Sequence, residues 1–139
     1  MVSGAYVGTD IWDKASPVES EVNFAQNVLG FTWVDRSATL RGEVYTVPTL
    51  YKQFTDGDRI SFCNQLNSKL YAVESPDAIK ASDNMGATFM RYSENNIPAA
   101  IVSHRSGYNT VVMGFPFEVI TDAAQRDALM RQVMNFFAE

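Results

Sequence analysis

Ser3-Gly4-Ala5-Tyr6-Val7-Gly8-Thr9-Asp10 is the stretch that decides how the rest of the chain is read. Gly4 and Gly8 flank a central residue with the Gly-x-nucleophile-x-Gly spacing of a nucleophile elbow, the sharp strand-to-helix turn that lifts one side chain clear of the carboxyl edge of a sheet. Glycine is needed there because the backbone is strained and neighbouring elements approach closely. The central residue, however, is Tyr6. A phenol has a pKa of about 10 and is a poor nucleophile at neutral pH, where a serine with its base or a cysteine would serve. The stretch is therefore either an elbow that has lost its chemistry or an ordinary glycine-rich turn.

An elbow follows a buried strand, yet only Met1 and Val2 precede Ser3. The expectation is a chain shortened at its N-terminus, with residues 1–139 forming one domain of a larger multidomain protein. Its size permits a real core without staples, and 46% hydrophobic against 19% charged residues is a globular composition. The net charge is −5, with lysine and arginine scattered, which argues against nucleic acid or an anionic membrane as partner. A single cysteine, Cys63, excludes an internal disulfide and a cysteine-based zinc site. No apolar run approaches the roughly 18 residues of a membrane span, so no membrane insertion is expected.

Outward from the elbow, Ser16-Pro17-Val18-Glu19 has the form of a capping box with proline at the first helical position. It predicts a helix from Pro17 to about Leu29, ended by Gly30. Phe31 to Val34 is a short β-rich run expected to re-enter the sheet. Gly42–Val47, Leu50–Phe54 and Arg59–Cys63 predict strands in hairpins, divided by Pro48 and by Asp56-Gly57-Asp58. Leu70 to Val73 reads as a strand and Pro76 to Ala81 as a single helical turn. Strands are expected at Ala87–Tyr92, Pro98–Ser103 and Thr110–Gly114, the last two joined as a hairpin. Leu129, Met130, Val133, Met134, Phe136 and Phe137 give a final helix, capped by Thr121. One α/β layer domain with hairpin additions accommodates this order.

With both ends in view, the chain resembles the class I glutamine amidotransferase-like superfamily. Active members of that family carry Gly-x-Cys-x-Gly at the elbow and a late Phe-His-Pro-Glu segment that supplies the catalytic histidine. The counterparts here are Gly4-Ala5-Tyr6-Val7-Gly8 and Gly114-Phe115-Pro116-Phe117-Glu118, so Tyr6 and Phe115 stand at the two chemical positions. The resemblance implies a three-layer, flavodoxin-like α/β sheet with β-hairpin additions, of a degenerate branch found in large secreted proteins of Bacteroides-type bacteria. Some of those proteins are labelled xanthan lyase-like. It further implies a secreted, periplasmic or cell-surface location, other domains of the parent protein as partners, and an accessory rather than catalytic role.

Three kinds of chemistry compete with that role. An acyl-transfer triad needs a nucleophile, a base and an orienting acid. Tyr6 and Phe115 fail as the first two, Cys63 has no elbow around it, and Glu118 has no histidine to orient. A lyase or hydrolase acting on an acidic polysaccharide would pair Tyr6 with His104, the only histidine. A calcium site would draw on Asp10 and Asp13 or on Asp56 and Asp58, but neither set has the ligand count of a known loop. No metal and no cofactor is expected. Binding remains: elbow and strand ends converge on one crevice in an open α/β sheet. Tyr6, Thr9, Asp10, Trp12, Glu74 and Phe115 are the candidates to line it, suited either to a neighbouring domain or to a sugar ring.

Overall fold

A computed structural model describes residues 1–139. The fold is mixed α/β. Six strands form one mixed sheet in the order β1-β8-β7-β6-β3-β4, where β1 is Val2–Ser3, β3 Glu43–Thr46, β4 Arg59–Ser61, β6 Gly86–Tyr92, β7 Pro98–Arg105 and β8 Tyr108–Met113. Only β1 and β8 pair in parallel, Val2 with Val112 and Ser3 with Met113, and the remaining neighbours are antiparallel. The hairpin β7–β8 turns through Ser106-Gly107, with Gly107 at φ +88°, tighter than the loop expected from sequence. Its strands run two residues further on each side, to Arg105 and from Tyr108.

The apolar runs of β7 and β8 are continuous because both faces of the sheet are covered. Ile101 and Val112 pack with Ala25, Phe31 and Ile79 on one face. Ala100, Val102, Val111 and Met113 join the larger core on the other, with Leu129, Val133 and Phe136 of α3 (Ala123–Phe137) and the rings of Phe54, Phe62, Phe89, Tyr92 and Phe115. Aromatic side chains thus supply much of the buried area of that core.

Helix α1 is one short turn, Thr9–Trp12. Helix α2 begins at Glu19 and continues from Phe24 to Leu29 with π-helical bonding. The capping box does not form: Val18 occupies the cap position and no side chain caps the helix, so it starts two residues later than expected. Gly30 ends it at φ +86°, as the glycine predicts. A Cβ there would lie 2.7 Å from the Arg105 guanidinium, which is itself buried and paired with Asp83 at 3.0 Å. Gly30→Ala therefore adds left-handed strain to a clash and is expected to cost about 2 kcal/mol. A urea midpoint unchanged from wild type would contradict it.

Five further expectations are corrected. Phe31–Asp35, β2, does not re-enter the main sheet; it pairs antiparallel with β5, Ala78–Ala81, as a separate two-stranded sheet. The same pairing makes Ala78–Ala81 a strand, where a helical turn over Pro76–Ala81 was expected. Leu50–Phe54 and Leu70–Val73 are irregular: Phe54 and Val73 are buried, but neither segment finds a strand to pair with. The cap of α3 is Asp122, which accepts from the Gln125 amide at 3.0 Å, while the Thr121 hydroxyl donates to the Ser61 carbonyl.

Candidate functional site

The parallel pair β1–β8 brings the start of the chain beside the late strand β8 at one edge of the sheet. The Gly4 amide donates to the Met113 carbonyl at 3.2 Å, and the Phe117 amide donates to Ser3 Oγ at 3.3 Å. The glycine-rich stretch and the Gly114–Glu118 segment are therefore neighbours in space. After Ser3 the backbone turns through residues 4–8 and enters α1, so the stretch is a strand-to-helix turn. Tyr6 projects from it half exposed.

What holds the turn is Asp77, a residue with no signal in the sequence. Its side chain is fully buried. Oδ2 accepts from the amides of Gly8 at 2.7 Å and Thr9 at 2.9 Å, and Oδ1 accepts from the Thr9 hydroxyl at 2.5 Å. The main chain of Asp77 is fixed as well: its amide donates to the Gly114 carbonyl at 2.7 Å, and its carbonyl accepts from the Tyr92 hydroxyl at 2.7 Å. Burial pushes the Asp77 carboxyl up from the ordinary aspartate value, and the bonds from Thr9 and Gly8 partly restore it. The Trp33 indole also lowers it from nearby without completing a hydrogen bond, since its buried Nε1 has no partner. The Trp33 ring lies against Gly8, where a Cβ would come within 2.5 Å of it. Gly8 is thus glycine because an indole occupies the space above it.

Phe115 is fully buried and stacks on Phe62, with ring centroids 4.7 Å apart and an interplanar angle of 14°. It belongs to the core and lines no crevice, contrary to its expected place in a binding site. Thr9 is likewise spent on Asp77, and Trp12 packs edge-on against Phe31 at 5.5 Å. Asp10 is exposed and makes no side-chain hydrogen bond. Of the six candidates, Tyr6 and Glu74 alone line a common cavity, of about 400 Å³, beside the turn. Tyr71, Glu118, Ala5 and Pro116 complete most of its wall. The Tyr71 hydroxyl donates to Glu118 Oε1 at 2.6 Å. Partial burial and the adjacent carboxylate push the Tyr71 phenol up to about 12, so it stays protonated throughout the physiological range.

His104 lies elsewhere. It pairs with Asn109 in the hairpin, Nδ1 within 2.6 Å of Asn109 Oδ1, near the start of β8, whereas Tyr6 follows the partner of Met113 at its end. The two are at opposite ends of the strand and share no cavity. Cys63 is buried, as its place in a strand-like run suggested, with its thiol 3.1 Å from the Gln65 carbonyl. No three side chains of the histidine, cysteine, aspartate and glutamate types converge as metal ligands. No helix is long and apolar enough to cross a membrane. No protein-family model matches the sequence, and no curated protein matches it.

Proposed function

We propose that this domain is a non-catalytic, amidotransferase-like module with an interaction or structural role in a larger protein. The observation that carries it is Phe115: the position expected to supply a base holds an apolar ring, stacked in the core and out of reach of any substrate. The flavodoxin-like reading is supported by the parallel β1–β8 pair, which sets the turn and the late segment side by side, although the other four pairings of the sheet are antiparallel. The turn itself is committed to structure. The amides of Gly8 and Thr9, which lead into α1, bond the carboxylate of Asp77 and tie the turn to the body of the fold.

A lyase or hydrolase using Tyr6 with His104 draws no support from this arrangement, because one group cannot take a proton from a substrate held by the other across the length of β8. The purified domain is accordingly expected to release no ammonia from glutamine and no nitrophenol from p-nitrophenyl acetate above the buffer rate. Turnover that disappears in Tyr6→Phe would defeat the proposal.

A further inference from the structure

The cavity beside the turn is unlike the rest of the surface. Its floor is apolar, from Ala5, Ala72, Val73 and Pro116. Tyr6 and Tyr71 stand at its sides, 50% and 54% exposed, so about half of each residue is left open to a ligand. Glu74 and Glu118 are its only charged lining residues. The four ion pairs of the molecule engage Glu21, Asp13, Glu43 and Asp83, which leaves Glu74 and Glu118 without a cation. Oε1 of Glu118 accepts from Tyr71, an arrangement that fixes the ring and leaves Oε2 with no donor from the protein.

We infer that this cavity docks a basic side chain, lysine or arginine, projected by a partner polypeptide. An alkyl cation matches each part of the wall. The hydrocarbon stem covers the apolar floor, the charged head lies against the two tyrosine faces, and the two carboxylates neutralise it. Other ligand classes fit less well. An anion meets two uncompensated negative charges. A neutral sugar can take donors from the Ser3 and Tyr6 hydroxyls, but it leaves both carboxylates without a counter-charge. A volume of about 400 Å³ accommodates one long side chain and excludes a folded element. The inference rests on the non-catalytic role proposed above only in requiring Tyr6 as a wall and not as a reacting group.

The test is an amide chemical-shift titration of the full chain with a short acetylated peptide carrying one lysine. A peptide with norleucine in its place, and cellobiose, serve as the other arms. Saturable shifts confined to residues 3–6, 71–74 and 118, with millimolar affinity and no response to the norleucine peptide, are expected. Affinity should fall about tenfold in the Glu74→Gln, Glu118→Gln double variant, which keeps the acceptor for Tyr71, and should also fall in Tyr6→Ala. Equal shifts from norleucine, no shifts at those residues, or tighter binding of cellobiose would overturn the inference. Each of these outcomes leaves the hydrolysis assay unaffected, so the two proposals fail separately.

Discussion

Asp77→Ala is expected to lose about 2–4 kcal/mol of stability, while Asp77→Asn stays within about 1 kcal/mol of wild type. The difference follows from counting donors. Alanine leaves the buried Gly8 amide and the partly buried Thr9 amide without an acceptor, and each orphaned donor costs about 1–3 kcal/mol when water cannot replace the lost partner. Asparagine can place its carbonyl where Oδ2 now accepts both amides and turn its NH2 toward Thr9, whose hydroxyl then accepts instead of donating. Every group at the joint remains paired. Urea unfolding of the two variants measures this directly, and equal losses in both would show that charge, and not the count of acceptors, holds the turn.

The same pair of proteins carries a pH signature. Because the folded carboxyl of Asp77 is raised above its ordinary value, the folded state binds the proton more tightly than the unfolded state does. Asp77 thus contributes its full stability below the unfolded value of 3.8, and that contribution is lost as pH rises through the raised folded value. Asparagine does not titrate. The asparagine variant should therefore gain on wild type as pH rises across that window and hold a constant difference above it. A difference that moved the other way would mean that the hydrogen bonds outweigh burial.

Gly114→Ala should be at least as damaging, about 4 kcal/mol or enough to prevent folding. A Cβ at this position would overlap the main-chain carbonyl oxygen of Asp77 and come within 3.2 Å of the Tyr92 hydroxyl. An overpacked side chain can turn aside, but here the obstacle is backbone. Relief would require separating residues 77 and 114 and so breaking the bond from the Asp77 amide to the Gly114 carbonyl, with the Tyr92 contact beside it. The requirement is one of close approach, not of backbone dihedral, so no L-residue substitutes. Thermal unfolding of Gly114→Ala within about 2 °C of wild type would refute the account.

Legibility in the sequence followed the range of the forces involved. Strands β7 and β8 and helix α3 were evident because apolar runs and helical spacing are local signals of burial. The turn at residues 4–8 was visible for the same reason, through its glycines. Asp77 was invisible because its partners lie nearly 70 residues earlier in the chain, and a lone aspartate after Ser-Pro looks like any turn. Strand β5 was misread because Pro76 and Asp77 suggest a helix start, whereas β2 offers it a ladder. Leu50–Phe54 has the residues of a strand, but burial of Phe54 among Phe89 and Phe136 is satisfied without pairing. Of the expected site, Tyr6 and Glu74 come together, and Phe115 and Thr9 do not, because an aromatic next to a strand end and a hydroxyl after a glycine serve packing and capping as readily as ligands.

The parallel pairing of β1 with β8 also governs when the turn can come into existence. Strands β6, β7 and β8 form a meander of near neighbours in sequence, whereas Val2 must find Val112. Loop-closure entropy grows with that separation and is spent before any contact repays it. The turn looks like a self-contained local motif, but its anchors at Asp77 and Met113 are synthesised long after it, so on the ribosome it is made well before the groups that hold it and is among the last parts that can be assembled.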